Sequence, residues 1–506
     1  MTSDLSRRGF LVLGSAALAS VALAACTPAG ETVLTPAKAL ADLAAKLRGR
    51  ILVAGDTGFT AAWMPANGYF RDTVPLAVAR VADEADVATC VNWCRDHGMP
   101  FAVRGGGHSY AGLSTSTGLI IDLSRLNSVA VDRLSWRMTT GGAATNRDIL
   151  GATLYGQEFL PGGTCLGVGV GGLVLGGGIG YHTRYAGLTS DHLVRARMVT
   201  ASGDIVEASA TEHPDLFWAL RGGTGGTFGV CTEFEFELAE VPQGDVVYYR
   251  YDFEGADAIH QMLSAVDAIQ QTAPPQFVAS AVAQPTPLGP DGDTRAAVAG
   301  WVRGVFIGTM ADFTDIVAPI LGGNPPAAAT QRLQPWWDTA QGFTSEEAEN
   351  HGWGDISRYT DRALSSKAIA DLVELVVDCP QREAATHGEV WMLGWVGGEV
   401  VDRIGRTETA YVHRGMKSMV RPSPVWSDLA SQDTIDELNA WTDEVIGAIE
   451  QETPRESYQH FPNRRLVDWQ EQYFAENLDR LIDIKTAWDP TGLFTSAQTI
   501  APRSET

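Results

Sequence analysis

The sequence predicts an α+β chain, with an α/β part carrying glycine loops and a second part built on an antiparallel sheet backed by helices. Three observations predict it. A strand–helix–strand pattern over 74–103 runs directly into a glycine turn, RGGGHSYAG, at 104–112, and a glycine loop at a strand end is where α/β folds place ligand sites. A second, denser stretch, PGGTCLGVGVGGLVLGGGIGYHTRYAGL, fills 161–188. Composition then changes at Val241-Pro242-Gln243-Gly244, after which alternating segments (VVYYRYDFE, RAAVAGWVRGVFIGT, EVWMLGWV) are separated by helical ones such as 367–378. That alternation is the mark of antiparallel strands with one face buried.

The elements follow in order. Residues 1–30 form a delivery sequence and are set apart from the fold. Ser6-Arg7-Arg8-Gly9-Phe10-Leu11 is a twin-arginine pattern, and the apolar run from Phe10 to Ala25 is shorter than the ~20 residues of a membrane span. Leu23-Ala24-Ala25-Cys26 resembles a lipobox, which would make Cys26 a lipid-bearing first residue; an ordinary signal cleaved near Ala25 is the other reading. Residues 36–50 read as a short helix, 74–82 as a strand, 83–98 as a helix with acidic residues in its first turn and Gly98 at its stop, and 100–103 as a strand. Strand, turn and strand follow over 118–132, then strand and helix over 137–156. A hairpin turns at Ala201-Ser202-Gly203-Asp204, and 215–238 passes from helix through a third glycine loop into a strand. The tail carries a helix from about 467 to 487 that ends before Asp489-Pro490.

Composition limits the function. The formal net charge of −24 over 506 residues argues against nucleic-acid or anionic-membrane partners, which favour basic surfaces. Beyond Cys26, the cysteines are Cys90, Cys94, Cys165, Cys231 and Cys379, an odd, scattered set that forms no disulfide framework. Cys90 and Cys94, one helical turn apart, read as a buried helix face. No metal site is predicted: HExxH is absent, as are GxSxG and the P-loop spacing. Gly167-x-Gly169-x-x-Gly172 formally matches the dinucleotide fingerprint, but it follows Pro161-Gly162-Gly163 rather than an apolar strand, which argues against a Rossmann nicotinamide site. Glycine is costly in regular structure and is used where backbone must approach something closely. His108 and Cys165 each stand beside their own glycine loop, so the residues themselves suggest one ligand held from two sides.

With RGGGHSYAG (104–112), PGGTCLGVGVGGLVLGGGIG (161–180), GLTSD (187–191), DLFWALRGG (215–223) and YFAENLDRLIDIKTAWDPTGLF (473–494) in this order, the chain resembles the berberine-bridge-enzyme-like FAD-linked oxidases of the vanillyl-alcohol-oxidase superfamily. The resemblance implies a two-lobed PCMH-type FAD-binding domain over 31–240, a substrate-binding domain over 241–449, and a C-terminal segment, 450–506, that returns to the FAD domain. It implies FAD bound covalently twice, by an 8α-histidyl bond at His108 and a 6-S-cysteinyl bond at Cys165. Further cofactor contacts are expected from Arg104, Gly105, Gly106, Gly107, Ser109, Val168, Gly169, Gly172, Gly176, Gly177, Gly178, Gly180, Val230 and His460. Tyr458 stands where relatives carry a catalytic tyrosine; as a phenol of ordinary pKa ≈ 10 it would need the flavin or a neighbouring donor to lower its pKa if it is to act as a base near neutral pH. Trp395 and Tyr411 are the expected substrate-side aromatics. Val168 occupies the position that in relatives accompanies oxygen use. The chain departs from the family pattern at Tyr458-Gln459-His460-Phe461-Pro462-Asn463, at Val396-Gly397-Gly398 and at Thr227. The expected activity is that of an exported oxidase taking a hydride from an alcohol-type small molecule and reducing O2 to H2O2. A dehydrogenase or oxidative cyclase is the alternative within flavoenzymes, and a non-catalytic binding lipoprotein the alternative outside them.

Overall fold

The computed structural model describes residues 36–286, 298–345, 351–380 and 386–504. The twin-arginine pattern and Cys26 lie outside these residues. The chain divides after Ala45 into two units. The described part of the first is the helix Pro36–Ala44 with its closing turn; everything below belongs to the second.

A four-stranded sheet comes first, in the order Arg50–Leu52, Ala77–Arg80, Leu119–Asp122, Phe101–Arg104. The first pair is antiparallel and the others parallel. The strand–helix–strand unit of the sequence is present, but its two strands flank Leu119–Asp122 instead of touching. The glycine turn after Arg104 therefore makes a crossover between adjacent parallel strands. The helix of this unit, Glu84–His97, starts because the Asp83 side chain accepts the Asp86 N–H, and it ends at Gly98, whose φ of 58° suits a residue without Cβ. Cys90 and Cys94 are fully buried on its inner face.

A five-stranded antiparallel sheet follows, in the order Val129–Asp132, Arg137–Gly141, Val230–Glu237, Leu193–Val199, Ile205–Ser209. Residues 245–427 then form an eight-stranded antiparallel sheet, with Asp245–Glu254, Val298–Phe306, Phe277–Pro285, His387–Leu393 and Ser418–Ser427 as consecutive neighbours. Strand alternation divides its side chains between two faces. Tyr249, Tyr251, Ala281 and Val302 point to one side and form a core with the helices Ala256–Thr272, Met310–Leu321, Ser366–Val377 and Gln432–Ile449. Trp301, Arg303, Trp391 and Arg421 alternate onto the other side.

The tail is locked to both parts. Lys485, on the helix Leu478–Trp488, is fully buried and donates from Nζ to Thr227 O, Phe494 O and Asp489 Oδ2, each at 2.7 Å, which ties the tail to the third glycine loop. The helix predicted over 467–487 is broken: Trp469–Phe474 is separated from Leu478–Trp488 by a 3-10 turn, where Asn477 Nδ2 donates to the carbonyls of Arg406 and Thr409. Upstream, Glu456 accepts from Arg406 Nη2 at 2.8 Å and bonds His413 Nδ1 at 2.7 Å, while the other ring nitrogen of His413 meets Gln459 Oε1 at 3.1 Å. Burial raises the Glu456 pKa, but His413 and Arg406 outweigh it and hold the carboxyl below its ordinary value. A carboxyl depressed in the folded state adds stability above its unfolded pKa, ~4.3, and that contribution is lost as pH falls through the folded value. Glu456→Gln should therefore cost about 1–3 kcal/mol at pH 7. The difference between wild type and variant should shrink below the unfolded pKa, measured by denaturant unfolding across pH.

Candidate active site

A cavity of ≈ 500 Å³ lies between the glycine loops and the open face of the eight-stranded sheet. Its lining includes Gly105–Ser109 of the first glycine turn, Cys165, Val168 and Gly169 of the second, Thr224–Gly226 of the third, and Phe494–Ser496 of the tail. The first two loops meet backbone to backbone. A Cβ on Gly106 would lie 2.4 Å from Gly169 N and 2.5 Å from Gly167 O, so only glycine permits the contact. Cys165 is placed by its own carbonyl, which accepts Asn146 Nδ2 at 2.9 Å, and its Sγ accepts from Ser345 Oγ at 3.4 Å.

Most of the predicted residues line this one cavity: Gly105, Gly106, Gly107, His108, Ser109, Cys165, Val168, Gly169, Gly172, Val230, Trp395, Tyr458 and His460. Six do not. The Arg104 guanidinium folds beneath the turn, where a Cβ on Gly107 would strike it at 1.9 Å. Gly176 lies against the His460 ring, Gly177 against the Tyr411 ring, and Gly180 against the Gly162 carbonyl. Gly178, with φ +81°, lies against Thr189. At each of these four glycines a side chain would strike another part of the chain. Tyr411 is fully buried behind the wall, its hydroxyl bonded to that of Tyr359 at 2.9 Å, and forms no part of the substrate side.

Tyr458 sits on the cavity wall with 2 % of its surface exposed. Its backbone N–H donates to Ser357 Oγ at 2.8 Å, and the Gly178 N–H donates to its hydroxyl at 3.2 Å. Burial pushes its pKa up and Tyr411 adds to this; the N–H groups of Gly178 and Ile179 pull it back, with a net upward shift. The expectation of a neighbour that lowers the Tyr458 pKa is not met on balance: the two backbone donors favour the ionised form, but burial outweighs them and holds the phenol above its ordinary value. His460 is pushed down to about 4 by burial, so its ring is neutral near pH 7 and lies against Gly176 as a flat spacer.

Sequence reasoning passed over several lining residues. Tyr110, Ser114 and Gln498 belong to them, and the side-chain oxygens of Ser114 and Gln498 are buried without a hydrogen-bond partner among the described residues. Arg303 and Arg421 line the cavity from strands 298–306 and 418–427. The burial of the Arg421 guanidinium lowers its pKa, but Asp355, Tyr110, Glu389 and Cys165 more than offset this, and its Nε lies 3.4 Å from Asp355 Oδ2. The only visible signal was the aromatic–arginine alternation Trp301-Val302-Arg303, which places both side chains on one strand face.

Family models place an FAD binding domain at residues 75–209 and a "berberine and berberine like" domain at 442–501. This chain is an FAD-linked oxidoreductase with the berberine-bridge-enzyme-like domain pair. An uncharacterized FAD-linked oxidoreductase, YgaK of Bacillus subtilis, is 27% identical over 466 residues, 90% of this chain and 98% of that one. Glucooligosaccharide oxidase of Sarocladium strictum is 29% identical over 460 residues, 85% and 88% of the two chains. Among solved structures, glucooligosaccharide oxidase from Acremonium strictum, which carries a 6-S-cysteinyl, 8α-N1-histidyl FAD, superposes with a TM-score of 0.78 at 26% identity, covering 92% of this chain and 100% of its own.

The cavity fits FAD on its own evidence. Glycine backbone surrounds one stretch of it, the orphaned oxygens of Ser114 and Gln498 await a polar group, and no carboxylate lines it among the described residues, as an anionic pyrophosphate requires. Gly106→Ala tests the loop contact directly. The added methyl must part the first two loops at an overpacking cost of about 1–3 kcal/mol, and flavin per polypeptide, read by absorbance, should fall several-fold.

Proposed function

We propose that this oxidoreductase takes a hydride from an alcohol-type carbon of a small organic substrate, such as a sugar, oligosaccharide or secondary metabolite, with FAD tethered through both His108 and Cys165. The observation that carries this reading is that His108 and Cys165, 57 positions apart in sequence, line a single cavity together with Tyr458. When bound, FAD supplies the hydride acceptor. The chain supplies the rest. Gly105–Gly107 and Val168–Gly169 would hold the cofactor at close range, and two covalent links would fix its position without a deep pocket, leaving the cavity open to a bulky substrate. Tyr458 is the base for the substrate hydroxyl: it first gives its own phenolic proton to solvent, the N–H groups of Gly178 and Ile179 stabilise the resulting phenolate, and this phenolate takes the hydroxyl proton as the hydride leaves the substrate carbon.

Reoxidation by O2, releasing H2O2, completes the proposed cycle, with Val168 beside Cys165 leaving room for oxygen. Export by the twin-arginine route and a lipid anchor at Cys26 are part of the same proposal; they rest on the sequence of residues 1–30. The His/Cys-linked flavin of the Acremonium relative and the oligosaccharide substrates in the names of relatives support the cofactor and substrate readings.

Acid precipitation tests the linkage. Yellow colour and one FAD of added mass should stay with the wild-type polypeptide and with His108→Ala and Cys165→Ala singly, and should be lost from the double variant; loss from wild type would overturn the double tether. Tyr458→Phe should keep the flavin yet lower kcat by about 10²–10⁴-fold, the range of a positioned general base. Val168→Leu should slow reoxidation by O2 in stopped flow while leaving flavin reduction by substrate unchanged. An unaltered oxygen rate would remove Val168 from that role.

A further inference from the structure

The substrate end of the cavity offers donors without matching acceptors. Arg303 projects into it from strand 298–306, with its Nε donating to the hydroxyl of the fully buried Tyr181 at 2.9 Å. Among the described residues no carboxylate forms an ion pair with it. Directly opposite in the strand register stands another arginine, Arg250, and like charges in that position are destabilising. Arg250 is answered by Asp252 at 2.6 Å, which leaves Arg303 as the uncompensated charge. Trp395, 7 % exposed, lines the same space with an indole N–H that has no hydrogen-bond partner among the described residues, and Arg421, whose Nε faces Asp355 Oδ2 at 3.4 Å, lines it as well. Aromatic rings hold the two guanidinium groups in place. Arg303 lies 4.9 Å from the Trp301 ring centre, Arg421 lies 4.9 Å from that of Trp391, and the two indoles meet edge to face at 5.3 Å.

An uncharged sugar brings a donor with every hydroxyl, so it would answer these groups at the cost of leaving its own donors short. A carboxylate brings acceptors only, and a planar guanidinium binds it through two parallel hydrogen bonds. We propose that the substrate is an anion, a carboxylate-bearing sugar or ring compound, whose carboxylate is bound by Arg303 with help from the Trp395 N–H and Arg421. Arg303 is then the residue that selects charge, while Tyr181 and Trp301 fix its direction. The inference rests on the proposed oxidation of a small molecule in this cavity and narrows its substrate class.

Calorimetric titration of the holoenzyme tests it with two matched pairs as probes, glucuronate against glucose and 4-hydroxybenzoate against 4-hydroxybenzyl alcohol. The acid-stable flavin content of each preparation is measured first, so loss of the tethered flavin is recognised separately from loss of anion binding. In flavin-loaded wild type the carboxylate member should bind about tenfold more tightly in at least one pair, and added NaCl should weaken it. Arg303→Gln should abolish that advantage and leave the neutral member's affinity, the flavin content and the melting temperature unchanged; Arg303→Lys should restore part of it, because the charge returns without the bidentate geometry. No carboxylate advantage in either pair would overturn the inference, as would an Arg303→Gln variant that weakens both members equally.

Discussion

The structure depends on two peptide backbones being allowed to touch. Gly106 and Gly169 come from loops that belong to different sheets, and their contact leaves no room for a single methyl group. Because of that contact His108, two residues beyond Gly106, and Cys165, four residues before Gly169, line the same cavity. Hydrogen bonds alone would not reproduce it, since they tolerate a few tenths of an ångström and many side chains. The steric limit is what makes the placement of the two linking side chains reproducible.

A second set of constraints places the tail against this pair. Ser357 accepts the Tyr458 N–H, His413 and Arg406 hold Glu456, and Gln459 Nε2 donates to the Gly222 carbonyl. Residues 456–459 are thus tied to two separate segments of the sheet domain and to the third glycine loop together. Gly178 closes the arrangement: its positive φ turns its N–H onto the Tyr458 hydroxyl. The same residue that packs against Thr189 therefore contributes to the electrostatics of the tyrosine, and its packing and electrostatic functions cannot be separated by mutation.

How far the sequence revealed this differs by scale. Short-range signals were sufficient for elements with local caps, such as the helix begun by Asp83 and ended by Gly98. They failed for the tail helix, where the break between Phe474 and Leu478 answers to carbonyls some seventy residues upstream. Glycine density located the cavity, yet it could not separate glycines facing a ligand from those such as Gly176 and Gly180, whose neighbours are His460 and Gly162. Tyr411 looked like a substrate-facing aromatic because aromatic content says nothing of which side a ring takes. Arg303 had no motif at all: alternation gives its face, but Tyr181, 122 positions away, gives its direction.

The charge pattern then reconciles two facts that seem opposed, a chain of net charge −24 and a cavity with two arginines and, among its described lining, no carboxylate. Exposed charges are screened within about 8–10 Å at physiological salt, so an acidic exterior barely affects a small anion that has reached the cavity mouth. A guanidinium held among tryptophan rings acts at contact distance in a medium less polarisable than water, where each interaction is stronger. A polyanion would have to lie along the acidic exterior and would meet the full surface field. The combination therefore favours small or short anionic molecules over large ones, and it does so without any further selectivity from the glycine loops.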